Sequence, residues 1–274
     1  MPKELRANLS KNDKEGGYSL LNLFKPGGSK RRAMVFVDYE SWFYSYKTLY
    51  NMRPDPKEFR NKLETEYDIE DIMVFGDFSS PVIAEELGKL RSITNTIIET
   101  GNTFNRRKKD MTDFIMLDYI YQYADQDKRN GTYIIFTGDG HFQSVTKYLS
   151  QKKKKHVIIY GVTDSISRQL RDAASEVREL PTDSELMKRN YSLIIKNMDY
   201  VYKNPRIIPT FMGTAEAVAK HNNINIEEIK CALSEMLDKG YLTKGFKRVG
   251  YSSVKVLYAE WDKLQADGLW SPDT

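Results

Sequence analysis

The chain of 274 residues carries 42 Lys+Arg against 38 Asp+Glu, a formal net charge of +4, with 40% hydrophobic residues and a mean hydropathy of -0.59. At roughly 150 residues per domain, this length accommodates one or two domains, each with its own core. The single cysteine, Cys231, excludes a disulfide scaffold and a cysteine-rich metal site, and no apolar run approaches the roughly 18 residues that cross a bilayer, so the expectation is a soluble, cytoplasmic protein with no membrane partner.

Residues 1–30 are polar, contain the pairs Gly16-Gly17 and Gly27-Gly28, and hold one short apolar patch from Leu20 to Phe24; they read as a mobile tail. At Arg32 the pattern changes. AMVFVD is a short, nearly continuous apolar run that fits a strand covered on both faces. Four more such runs follow: IEDIMVF from Ile69, NTIIE from Asn95, TYIIFT from Thr132 and HVIIYG from His156. Amphipathic segments of helical length lie among them: Pro56 to Glu66, Pro81 to Arg91, Met111 to Asp125, Phe142 to Lys152, and Ser167 to Ala174. Strands alternating with helices imply crossover units and a mostly parallel sheet, here a five-stranded, three-layer α/β domain over residues 31–180.

Pro181-Thr182-Asp183-Ser184 marks a break, and 181–188 reads as a linker. A smaller α+β domain over 189–262 follows, with a C-terminal tail at 263–274. Its helices are Met187 to Val201, Gly213 to His221, and Ile226 to Lys239, the last opened by Asn225 with Glu228 in the capping-box position and closed by Gly240. YLTKGFK and SSVKVLYAE then read as a hairpin. Three helices followed by a hairpin is the order of a winged helix.

In an open parallel sheet, ligands bind beyond the carboxyl ends of the strands. Strand one ends in Asp38-Tyr39-Glu40, strand two in Gly76-Asp77, and strand four in Gly138-Asp139-Gly140-His141, while Asp113 falls in the first turn of a helix starting near the same rim. Any one of these acids is accounted for as a helix cap or a dipole partner. Three strand ends at once are harder to explain so, because gathered carboxylates repel unless a cation sits among them. Oxygen ligands, in a chain with three histidines, point to Mg²⁺ or Mn²⁺ and to metal-assisted phosphodiester hydrolysis.

With VFVDYESWFY, VFGDFSS, KKDMTDFIMLDYIY and FTGDGHFQSV in this order, residues 31–180 resemble the NYN domain, a PIN-like nuclease fold that includes LabA-like bacterial proteins. The resemblance implies a Rossmannoid sheet and a metal-dependent ribonuclease site. Asp38 matches the aspartate after the first strand, Asp77 the one after the second, Asp113 the one opening the central helix, and Asp139 the first acid of the fourth-strand motif. Three positions depart from the family pattern. Glu40 stands where an Asn is common. Asp113 follows Lys109 by one residue more than the usual Lys-x-x-Asp, which leaves Asp110 as a rival. Finally, Gly-Asp-x-Asp-Phe is here Gly138-Asp139-Gly140-His141-Phe142, so His141 is either a ligand or proton carrier or the mark of a weakened metal position.

Asn105-Arg106-Arg107-Lys108-Lys109 precedes the helix of Asp113 and reads either as a solvated loop or as a lip that tracks phosphates. Lys152 to Lys155 read as solvent face or a secondary backbone contact. Tyr39, Trp42, Phe43, Tyr44 and Tyr46 read mostly as core, with one or two available to stack on bases near Asp38. The outward face of the third C-terminal helix, with Glu227, Glu228, Glu235 and Asp238, is too acidic for a major groove. The hairpin, with Lys244, Lys247, Arg248 and Lys255, is basic. Nucleic-acid contact by the hairpin, protein docking, or self-association through this domain are the readings it allows. The leading expectation is a metal-dependent ribonuclease with a winged-helix module that selects substrate or partner. The alternative is a catalytically silent NYN fold serving as a nucleic-acid-binding or regulatory adaptor.

Overall fold

A computed structural model describes residues 30–101 and 111–272. The Leu20 to Phe24 patch therefore lies outside the described residues. Six parallel strands, β1 (Arg31–Asp38), β2 (Tyr67–Gly76), β3 (Ile97–Glu99), β4 (Thr132–Phe136), β5 (His156–Val162) and β6 (Glu176–Leu180), form one sheet in the order β3-β2-β1-β4-β5-β6. The sixth strand corrects the expectation of five. Its sequence, EVREL, is charged, which an edge strand tolerates. The charges are also paired: Arg178 reaches Glu66 at 2.8 and 2.9 Å and Glu176 at 2.6 Å, and Arg171 bonds Glu179.

Alternation along β1 sends side chains to two separate cores. Ala33, Val35 and Val37 meet Trp42 and Phe43 of α1 (Tyr39–Tyr50) and Phe59 and Leu63 of α2 (Pro56–Glu66). Met34 and Phe36 meet Met116 and Ile120 of α5 (Met111–Gln126) and Val145 of α6 (Gln143–Lys147) on the other face. Between β2 and β3 the expected single helix is two short ones, α3 (Pro81–Ala84) and α4 (Leu87–Arg91); α7 (Arg168–Ala173) leads into β6. Trp42 anchors α1 by stacking on Phe136 at 4.4 Å between ring centroids, with Phe59 edge-on at 5.2 Å. The helix leaving β1 thus packs on one face and the turn leaving β4 on the opposite face, which makes the carboxyl ends of these adjacent strands a topological switch point, the place where ligands bind in open sheets.

The Lys152 to Lys155 run is not simply solvent face. Lys155 donates to Asp127 at 3.0 Å and to the Asn130 carbonyl at 2.6 Å, and Lys153 donates to Asp125 at 3.0 Å. Burial works to raise the Asp127 carboxyl, but bonds from the Asn130 and Arg129 amides, the Tyr133 hydroxyl and Lys155 overcome it and hold the carboxyl at about 2. With a folded-state value below the unfolded one, its stabilisation is complete above about pH 4 and is lost as pH falls through about 2. Asp127→Asn is therefore expected to destabilise the protein at neutral pH and to flatten the acid limb of the melting temperature between these values, as read by circular dichroism. An unchanged acid limb would remove this residue from the account.

A third core lies in the C-terminal part, among Tyr191, Ile194 and Met198 of α8 (Asp183–Lys203), Val218 of α9 (Phe211–Asn222), Ile229, Leu233 and Met236 of α10 (Ile226–Asp238), and Leu242 and Leu257 of the antiparallel pair β7 (Leu242–Val249) and β8 (Ser252–Ala259). Most of 181–188 is helix rather than linker. Thr182 and Glu185 make a reciprocal capping box that starts α8. Its first turns dock on the α/β part: Tyr46 donates to Glu185 at 3.4 Å, Lys188 meets Glu58 at 2.8 Å, and Arg189 reaches the Tyr50 carbonyl at 3.3 Å. Arg189 also pairs with Glu228 at 3.0 Å, so Glu228 leaves the capping-box role to the Asn225 side chain alone. Nor is the terminal segment all tail, because α11 (Trp261–Ala266) buries Leu264.

Candidate functional site

Asp38 closes β1 and caps α1. Its Oδ1 accepts from the Ser41 amide at 3.0 Å, and the residue is 5% exposed. Burial is the main force raising its carboxyl; the Ser41 bond opposes it, while the charges of Asp113, Glu40 and Asp139 add to it, leaving the group at about 7. Capping and membership of an acidic cluster are thus both true of this residue.

Asp139 follows β4 and caps the 3₁₀ turn Gly140–Phe142, with Oδ1 accepting from the His141 amide at 2.8 Å. The turn is held tight by close backbone approach. A Cβ at Gly138 would stand 2.5 Å from the Ser165 carbonyl oxygen, and the Ser167 amide donates to the Gly138 carbonyl at 2.9 Å. Asp113 comes to the same place from the first turn of α5. The His141 ring Nδ1 lies 3.3 Å from Asp139 Oδ1 and 3.7 Å from Asp113 Oδ2. One ligand atom from each of Asp113, Asp139 and His141 falls within 4.8 Å of the others.

Glu40 and Asp77 belong to the flank of this group. Glu40 Oε2 accepts from the Asp77 amide at 3.1 Å and from Thr112 Oγ1 at 3.0 Å, and Thr112 shares a hydroxyl bond of 2.6 Å with Thr100. Asp77 Oδ1 accepts from the Ser79 amide at 3.0 Å and would lie 2.5 Å from a Cβ at Gly101, so a side chain there would have to displace the Asp77 carboxylate. Thr112 and Thr100 carry no signal in the sequence. Phe114, 65% exposed beside Asp113, does: it is out of phase with the buried stripe of Thr112, Met116, Ile120 and Ala124. Of the aromatics near Asp38, Tyr39, Trp42, Phe43 and Tyr46 are buried, and Tyr44 alone is exposed. Asp110 and the run Arg106, Arg107, Lys108 and Lys109 lie outside the described residues.

Strand alternation separates Lys247 from Arg248. Lys247 donates to the Pro205 carbonyl at 3.0 Å, whereas Arg248 is exposed on the other face of β7.

Two carboxylates and an imidazole converge within electrostatic reach of a third, buried carboxylate as a candidate metal site, where a cation would offset the burial and the neighbouring charges that raise Asp38. No helix among the described residues is long and apolar enough to cross a membrane.

A family model, the NYN domain, matches residues 32–181, more than half of the chain. Among solved structures, the fold is similar to a crystal structure of a protein of unknown function, VPA0982, from Vibrio parahaemolyticus RIMD 2210633. That match has a TM-score of 0.51 and 18% identity, and covers 58% of this chain and 98% of that one. No curated protein matches the chain significantly.

Proposed function

Because the chain belongs to the NYN domain family of PIN-like nucleases, we propose that it is a divalent-metal-dependent ribonuclease. The observation that carries this reading is the convergence of Asp38, Asp113 and Asp139 from β1, α5 and β4 on one rim, close enough that two of them and Glu40 raise the proton affinity of the third. Asp38, Asp113 and Asp139 would hold Mg²⁺ or Mn²⁺, with His141 at the same group. Such a cation supplies charge neutralisation at the phosphate and a more acidic water. Asp113, in the first turn of α5, completes the ligand set or orients the water, and Asp139 is fixed for its part by the tight turn at Gly138. Asp77 and Thr112 hold Glu40 beside the group from the edge. Phosphate contacts fall to Arg106, Arg107, Lys108 and Lys109 before α5 and to Arg248 on the hairpin, with Lys247 bracing the hairpin's base; the C-terminal module, as a winged helix, selects substrate or partner.

His141 supports a second reading. Its ring Nδ1, 3.3 Å from Asp139 and 3.7 Å from Asp113, stands between the two carboxylates where the family pattern has a third, and a cluster altered in this way would suit a binding adaptor without turnover. The test is cleavage of labelled single-stranded and duplex RNA and DNA with Mn²⁺, Mg²⁺ or chelator, run on the native chain and on His141→Asp. The ribonuclease reading expects metal-dependent RNA cleavage by the native chain. Cleavage only after His141→Asp, or RNA binding that survives chelation with no turnover in either protein, would establish the adaptor.

A further inference from the structure

The β7–β8 hairpin, already given one phosphate contact through Arg248, carries on the same face three further residues with no part in the carboxylate site: Lys244, Phe246 and Lys255. Paired residues of an antiparallel ladder point to the same face, and the register sets Lys244 opposite Leu257, Phe246 opposite Lys255, and Arg248 opposite Ser253. At its base this face enters the C-terminal core through Leu242 and Leu257. Further out it leaves the core and carries Phe246, 72% exposed, with Lys244 and Arg248 two residues away along its strand and Lys255 directly across. Lys244, Arg248 and Lys255 are all exposed, no carboxylate shares the face, and none of the three pairs with an acid among the described residues. Tyr251, fully exposed, sits in the turn beyond.

An uncovered phenyl ring is unfavourable in water, and the cations around it have no acidic partner among the described residues: Lys244 lies over the Phe211 ring at 5.8 Å, while Arg248 and Lys255 are exposed. Both conditions are relieved by a partner that brings a flat apolar surface together with regularly spaced negative charge. An unpaired nucleic-acid strand has this character, with a base for the ring and a phosphate at every nucleotide. An acidic peptide would supply the charge without the flat face.

We propose that this face is a second nucleic-acid-binding site, on which Phe246 stacks with an unpaired base while Lys244, Arg248 and Lys255 take the flanking phosphates. The choice of RNA rests on the ribonuclease reading; the platform itself does not, since it needs neither metal nor turnover.

The experiment is fluorescence anisotropy of the full chain with fluorescein-labelled single-stranded oligo(A) and oligo(U) RNA and the matching DNA, in chelator, over a salt series. Phe246→Ala is expected to weaken binding by about tenfold or more, the effect of losing one stacked base, and Phe246→Trp to retain it. Replacing Arg248 and Lys255 by Gln together should reduce the slope of log affinity against log salt by about 1.4, at about 0.7 for each single-strand phosphate contact. Because Phe246 is exposed, its loss leaves the melting temperature unchanged, which separates a binding defect from an unfolded protein. Native affinity in Phe246→Ala would overturn the proposal, as would failure of Phe246→Trp to bind. Displacement of a labelled poly-glutamate peptide, with RNA binding untouched by either set of variants, would assign the face to a protein partner instead. Tighter binding of DNA than RNA would preserve this site and count against the ribonuclease assignment, whereas platform binding to RNA by a chain that cleaves nothing would leave the site standing without that reading.

Discussion

Asp38→Asn is expected to abolish metal-dependent cleavage and, in the same protein, to raise the stability of the metal-free chain at alkaline pH. Loss of one metal-bearing carboxylate forfeits several kcal/mol of charge stabilisation, or about two to four orders of magnitude in rate at 1.36 kcal/mol per tenfold. The gain in stability comes from the opposite sign of the same charge. Buried and facing Asp113, Glu40 and Asp139, the carboxyl holds its proton up to about pH 7 in the folded chain, against its ordinary value of 3.8. Between these values the folded state binds more protons than the unfolded state, so stability is complete below about pH 4, falls as pH rises, and reaches its full loss above about pH 7. A difference of about three pK units corresponds to at most about 4 kcal/mol at pH 8, which asparagine would recover while still accepting the Ser41 bond. Thermal melts in chelator from pH 4 to 8 should coincide at the acid end and separate in favour of the variant at the alkaline end. Saturating Mn²⁺ should stabilise the native chain and move the variant little. A variant that is less stable at pH 8, or that cleaves RNA at the native rate, would contradict the assignment.

Trp42→Ala tests the platform beneath the same residue. The indole is buried, stacks on Phe136, and meets Tyr39, Tyr46 and Phe59 at centroid distances from 5.2 to 5.9 Å. Truncating so large a buried side chain costs about 3–5 kcal/mol. For a chain of this size that lowers the melting temperature by about 6–20 °C, at about 2–4 °C per kcal/mol. Trp42 lies one turn along α1 from Asp38, so the variant should also lose activity at temperatures where it is still folded, with a raised requirement for Mn²⁺. Trp42→Phe, which keeps an aromatic ring against Phe136, should restore most of both. A loss of stability with a native metal requirement would show that α1 packing does not govern the position of Asp38.

Most of the sheet was legible because its strands are buried on both faces and therefore read as apolar runs; Met34 to Val37 announce β1 without ambiguity. The edge strand β6 was not, since Arg178 and Glu179 look like loop residues until Glu66 and Arg171 are seen to pair with them. The break at Pro181 concealed a helix start whose signature, Thr182 with Glu185 three residues on, was present in the sequence. At the site, strand ends were enough to nominate Asp38 and Asp139. The burial of Asp38 with three further carboxylates around it, and the threonine pair that steadies Glu40, arise from distances between elements remote in the chain. Lys247 and Arg248 look alike as neighbours in sequence, yet the period of two in a strand gives one a structural bond and the other an open face.

The switch point between β1 and β4 exists because the chain leaves these two strands toward opposite faces of the sheet, a matter of strand order rather than of which side chains stand at their ends. Scaffold and chemistry are consequently separable in this architecture. A histidine in place of a carboxylate at position 141 changes the donor atoms offered beside Asp113 and Asp139 while leaving strand order untouched, so the chemistry of this rim can vary without refolding.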